Sequence, residues 1–130
     1  MPDPKAETVQ RFFEAMSRLD PDAACALASE EYESSVAQSV PIRLQPRERH
    51  GHEGLRRRIE EISEGWPSWH IDFTVEPRGD AFLVTGRYRA YHDEPAGHEA
   101  PFISLVTLDD DGKVLRIVSY GSEQELPQHG

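Results

Sequence analysis

Few side chains in this chain combine a type and a position suited to chemistry. His98 shares strand parity with Phe102 and Ser104 in "HEAPFISLVTL". Histidine is the one side chain whose ordinary pKa suits proton transfer near neutrality. Tyr32 and Tyr88 could present hydroxyls to a carbonyl oxygen, although tyrosines on half-buried strands more often pack with a satisfied hydroxyl. Ser104 and Ser119 could orient a ligand, and no His–Asp partnership near either marks a nucleophile. "HGHE", residues 50–53, sets two histidines at i and i+2 before a carboxylate, a spacing met in metal sites of β-barrels. Here it stands at a loop-to-helix junction, where the glycine turns the chain and Glu53 suits a helix N-terminus. No further His, Asp or Glu cluster completes a tetrahedral set, so no metal is expected. No cofactor is expected either, because the chain has no glycine-rich phosphate loop, dinucleotide fingerprint or nucleophile elbow.

The scaffold for these groups is bounded by composition. The 130 residues suit a single domain, 1–130, with one core. An apolar fraction of 37%, with five Phe, four Tyr and two Trp, marks a globular chain. No apolar run is long enough to span a membrane, and "MPDPKAETVQ" is too polar for a signal peptide, so a cytoplasmic protein with no membrane partner is expected. A net charge of −10 argues against nucleic acid, whose phosphates need a surplus of Lys and Arg. The charge is uneven: residues 43–58 hold six arginines against two glutamates. That patch reads as a solvated helix surface or as an attractor of an anionic ligand or acidic face. Cys25, the single cysteine, lies in "AACALA" and reads as a small core residue, with no internal disulfide.

Two helices open with the same device. "DPKAETVQRFFEAMSRL" places Asp3 as N-cap and Pro4 at the first helical position, and "DPDAACALA" repeats this with Asp20 and Pro21. Val9, Phe12, Phe13, Met16 and Leu19 form one apolar stripe. A third helix is predicted from about His52 to Glu64 on the stripe Leu55, Ile59 and Ile62, which Trp66 extends; Gly65 and Pro67 stop it. The period then falls to two. Trp69, Ile71, Phe73 and Val75 alternate with His70, Asp72, Thr74 and Glu76, so both tryptophans belong to the apolar side and His70 does not. Strands follow in "AFLVTGRYRAYH", "HEAPFISLVTL" and "KVLRIVSY", with turns at "PRGD", "DEPAG" and "DDDG". An irregular early strand is expected in "YESSVAQSVPIRL", broken by Pro41 and Pro46. The order is α+β: three N-terminal helices, then a meander of antiparallel strands. The last two long strands are apolar on both faces. A second copy is the simplest cover for the outer one, so a homodimer through the sheet is expected.

Three stretches, "VQRFFEAMSRLDPDAACALASEEYE", "GHEGLRRRIEEISEGWPSW" and "LVTLDDDGKVLRIVSYGSEQEL", carry a resemblance that covers residues 6 to 126. The chain resembles the nuclear transport factor 2-like superfamily, in its SnoaL-like polyketide cyclase and ketosteroid isomerase-like branch. The resemblance implies a cone-like α+β barrel: a curved, mostly antiparallel sheet that holds the helices in its concave face, with a ligand cavity at the open end. It implies a cavity lined by Phe12, Met16, Trp69, Phe102, Ser104, Ile117 and Ser119, with His98, Tyr32 and Tyr88 as candidate catalytic groups.

Steroid isomerases of this family use a tyrosine, a basic acid and a protonated acid. Laid on that pattern, this chain has Phe12, about Val36, and Ser104, none of which can do that proton chemistry. The Arg-x-Asp of the family's epoxide hydrolases is replaced by Arg-x-Arg in "GRYRAYHDE". Two readings follow. In the first, a largely apolar carbonyl compound enters the cone, and His98 with a tyrosine moves a proton in a cyclisation, isomerisation, dehydration or hydrolysis. In the second, the same cavity belongs to a non-catalytic binding or dimeric assembly module.

Overall fold

Helix α1 (Pro4–Arg18) forms on the predicted stripe: Val9, Phe12 and Phe13 are buried, and Met16 and Leu19 pack beside them. Its end carries no glycine. Leu19 takes the left-handed position itself, at φ 56. Its N–H donates to the Met16 carbonyl at 3.1 Å, and that of Asp20 to Ala15 at 2.9 Å, closing the last turn as a Schellman motif. A left-handed leucine costs about 1 kcal/mol, which the packing of its side chain on the core offsets. The computed structural model describes residues 4–36, 48–65, 68–91, 98–120, 124 and 126, excepting the side chains of 65, 68, 90, 91 and 98–100. Asp3, Trp66 and Pro67, the turn "DEPAG" and the Pro41–Pro46 region lie outside them.

Helix α2 (Pro21–Ala26) is capped by Asp20, whose carboxylate accepts from the Ala23 N–H at 3.1 Å. The helix expected to run to Ala28 stops at Ala26, and strand β1 (Ala28–Val36) starts four residues before Tyr32. Tertiary pairing overrides alanine's helical preference: the Leu27 carbonyl accepts from Val114 N–H at 2.9 Å, and Ala28 pairs with Val114. Strand β2 (Arg49–His50) leads into helix α3 (Gly51–Gly65), so "HGHE" spans a strand-to-helix corner, with Gly51 turning it at φ 70. Leu55, Ile59 and Ile62 are buried as their spacing predicts.

Strands β3 (Ser68–Arg78), β4 (Ala81–Tyr91), β5 (His98–Leu108) and β6 (Val114–Tyr120) complete a curved, unclosed sheet in the order β2-β1-β6-β5-β4-β3. All pairs are antiparallel except β1 with β6. The β5–β6 turn is held by Asp109, whose Oδ1 accepts from the N–H groups of Asp111 and Lys113, each at 2.9 Å. Helix α1 packs on β3, α3 on β1, and α2 joins the two helices. No described helix is long and apolar enough to cross a membrane.

Gly86 permits the bend of the sheet. A Cβ there would sit 1.9 Å from the Asp72 carbonyl oxygen and 2.7 Å from Phe73 Cα, so only glycine lets β3 fold in so closely. On the outer face Leu83 is buried, while Ile103, Leu105, Val118 and Tyr120 are half-buried.

Candidate functional site

Strand register arranges the helix-facing residues in rows. From one end these are Phe82, Val106 and Ile117; then Val75, Val84, Ser104 and Ser119; then Phe73, Gly86 and Phe102; then Ile71, Tyr88 and Ala100; and last Trp69, Ala90 and His98. Burial falls along them. Phe82, Val84, Ser104, Val106 and Ile117 are all at most 8% exposed, whereas Phe73, Phe102, Ile71, Tyr88 and Trp69 are half-buried. The first rows hold the most buried side chains, although Val75 and Ser119 of the second row are half-buried like the rows beyond it.

Aromatic rings line the half-buried rows. Phe13 lies 5.6 Å from Phe73 and stacks on Phe102 at 6.2 Å, with Met16 one turn along α1. Trp69 stacks on Tyr88 at 5.3 Å and 23°. Burial raises the Tyr88 pKa, so its phenol stays protonated and can donate. The indole Nε1 of Trp69 is buried and has no hydrogen-bond partner among the described residues. His98 opens β5 opposite Ala90, which in turn pairs with Trp69, so its backbone belongs to the outermost row; its side chain lies outside the described residues.

The other residues singled out from sequence sit deeper. Phe12 is fully buried and packs 6.0 Å from the ring of Tyr32, itself 3% exposed. Burial pushes the Tyr32 pKa up to about 12, against a smaller lowering by its hydrogen bond with Ser34. The Ser104 and Ser119 hydroxyls bond each other at 2.9 Å, and Ile117 lies in the core cluster. The structure therefore groups Trp69, Tyr88, Phe102 and Met16 toward the half-buried rows, and Phe12, Tyr32, Ser104 and Ile117 in the packed end.

The arginine patch is laced by the chain's own carboxylates. Arg49, 8% exposed, donates through Nη2 to both oxygens of Glu61 at 2.8 and 2.6 Å. Arg56 pairs with Asp22 at 2.8 Å, and Arg57 lies 3.5 Å from Glu60 and Glu61. A cleft of about 680 Å³ runs along Arg49, His50, Glu53, Gly54, Arg56, Arg57 and Glu60. A second, about 320 Å³, lies over Glu33, Ser34, Ser35, Glu48, His50, Arg116 and Val118. Both are polar and lie away from the half-buried aromatic rows. His50 is 3.8 Å from Glu33 and 3.9 Å from Glu48, while His52 Nε2 lies 2.9 Å from the Ala28 carbonyl oxygen. The described residues hold no group of three or more His, Cys, Asp or Glu placed to bind a metal.

Sequence reasoning missed one linked set. Ser17 Oγ accepts from the Ile71 N–H at 3.0 Å and lies 3.5 Å from His70 Nδ1, whose Nε2 is 2.9 Å from Asp72. His70 and Asp72 are more than half exposed, and the backbone N–H beside Ser17 is already used. The set ties α1 to the edge of β3; it lacks a free N–H for an oxyanion. Residues 17 and 70–72 are too far apart in sequence for spacing to have signalled it.

The profile of the SnoaL-like domain matches residues 9–117. The chain belongs to the SnoaL-like domain family. This SnoaL-like chain is similar in fold to TerC co-crystallised with polyporic acid, at 14% identity over 90% of each chain and a TM-score of 0.76. A nuclear transport factor 2-like protein of unknown function from Burkholderia pseudomallei is 16% identical over 95% of each chain, with a TM-score of 0.77. A candidate polyketide cyclase from Xanthomonas campestris pv. campestris is 18% identical over 94% of this chain and 93% of its own, with a TM-score of 0.67. No curated protein sequence matches the chain. Identities this low speak for the fold alone.

Proposed function

We propose that this SnoaL-like protein is a cytoplasmic enzyme that moves a proton on a largely apolar, carbonyl-bearing metabolite, in a cyclisation, isomerisation, dehydration or hydrolysis. The observation that carries the reading is the lower burial of the outer helix-facing rows, where Trp69, Ile71 and Tyr88 are half-buried, against the packed rows of Phe82, Val84 and Val106. His98 is assigned as the proton carrier and Tyr88 as the hydroxyl that steadies the developing oxyanion. Met16, Phe102 and Trp69 hold the apolar body of the ligand. Tyr32, buried against Phe12, is assigned to the scaffold. A small-molecule ligand in a similar fold, the polyporic acid crystallised with TerC, supports the choice of ligand class.

The test is turnover of a panel of unsaturated ketones, esters and β-hydroxy carbonyl compounds by wild type, His98→Ala and Tyr88→Phe. General acid–base groups contribute about a hundred- to ten-thousandfold, so His98→Ala should lose at least about a hundredfold in kcat. Unchanged turnover in His98→Ala removes the assigned base.

A second reading is a non-catalytic binding or dimeric assembly module. It is favoured by Phe12 and Ser104, which stand where the resemblance places isomerase groups. Phe12 is sealed in the core, and the Ser104 hydroxyl is taken up by Ser119. Ligand binding with no turnover across the panel would favour it. Either reading includes a homodimer through the outer sheet face, where Ile103, Leu105, Val118 and Tyr120 are half-buried.

A further inference from the structure

The indole Nε1 of Trp69 has essentially no exposure to solvent and no hydrogen-bond partner among the described residues. A buried N–H left unpaired costs about 1–3 kcal/mol. Phenylalanine would fill much of the same space and stack on Tyr88 without that cost, so packing alone does not account for an indole here. The ring lies in the outermost row of the helix-facing wall, at the half-buried end, on the level where β5 begins. One row inward Tyr88 offers a flat face, and Phe73 and Phe102 share the row after that.

We propose that Trp69 is a positioning residue whose indole N–H donates to an oxygen acceptor on a planar, unsaturated ligand lying along this aromatic wall. The proposal rests on reading the open end as a ligand site. The flat faces select the ligand's shape, since π-systems gain from offset stacking beyond the area they bury. The stranded donor selects its polarity: an acceptor removes a cost already present in the free protein, whereas a hydrocarbon of the same outline leaves it standing. Because water does not reach the N–H, the incoming acceptor displaces whatever covers it, and pairing of the donor offsets that movement. Held there, the acceptor fixes which carbon of the ligand faces the start of β5. Trp69 thus orients the reacting centre without exchanging a proton itself.

The test uses two probes of nearly one shape, 2-acetonaphthone, which carries a carbonyl, and 2-ethylnaphthalene, which does not. Calorimetric or fluorescence titration of the wild type should give the ketone a Kd roughly three- to tenfold below the hydrocarbon's, the range of one neutral hydrogen bond. Trp69→Phe should bind both and lose the difference. In 1H–15N spectra the Trp69 indole signal should move downfield with the ketone and stay nearly still with the hydrocarbon. That signal is assigned by its loss in Trp69→Phe or, should that variant not fold, by elimination in Trp66→Phe. Equal affinity of the two probes for wild type, or an indole signal unmoved by the ketone, overturns the donor role and leaves the open end as an apolar site. Failure of both probes to bind overturns the open-end reading and the donor role with it.

Discussion

Tyr32 and Tyr88 are one residue type on two strands, and burial gives them different responses to alkali. The pKa of Tyr32 is raised by burial to about 12, so its neutral form is the one the fold favours. Stability from this group is complete below the unfolded value near pH 10 and is lost as pH rises toward about 12. Wild type should therefore lose urea stability steeply between pH 10 and 12, and Tyr32→Phe should lose less over the same window. At pH 8, where the phenol is neutral in both states, the variant should differ by only about 1 kcal/mol. Equal losses in both proteins, measured by urea midpoints at pH 8 and 11, would remove the assignment of Tyr32 to a sealed interior. Sequence alone could not separate the two tyrosines, because what differs is the ring of Phe12, brought against Tyr32 by the packing of α1 on the sheet.

At the scale of elements, two close contacts dominate. Gly86→Ala places a methyl against the β3 main chain, where no side chain can yield, so the variant should lose about 3 kcal/mol or more of unfolding free energy. Chemical denaturation measures this directly. Arg49→Met leaves the Glu61 carboxylate at the α3–β2 seam with the longer 3.5 Å contact to Arg57 and should cost about 2 kcal/mol, whereas Arg49→Met combined with Glu61→Leu should recover most of the loss. Much of the element plan was legible beforehand. Asp20 with Pro21 signalled its cap, Leu55–Ile59–Ile62 its stripe, and Trp69 to Val75 its alternation, since each depends on neighbours a few residues away. Three features were not legible. The start of β1 is set by Val114, the end of α1 by a leucine in a glycine's conformation, and the Arg49–Glu61 pair by a fold that buries one arginine from a run resembling a solvated surface. The candidate site divides in the same way: the parity of Trp69, Tyr88 and Phe102 could be read from the chain, but the end at which burial falls could not.

At the scale of the whole molecule, the proposed dimer rests on the outer face of the sheet. Ile103, Leu105, Val118 and Tyr120 lie side by side across β5 and β6 and are half-buried in a single chain. Leu105→Lys should shift sedimentation from a dimer to a monomer of 14.7 kDa while leaving far-UV circular dichroism unchanged. A wild type that sediments as a monomer at all accessible concentrations would count against the paired assembly. The alliance of β1 with β6 has a consequence in time. The first of the described strands to be synthesised has as its parallel neighbour the last of them. Until then residues 28–36 wait with one flank bare, and closing so large a loop is entropically slow. Pairing of β1 on that flank therefore waits for residues 114–120, and a nascent chain stalled before residue 114 should present an open strand edge to chaperones.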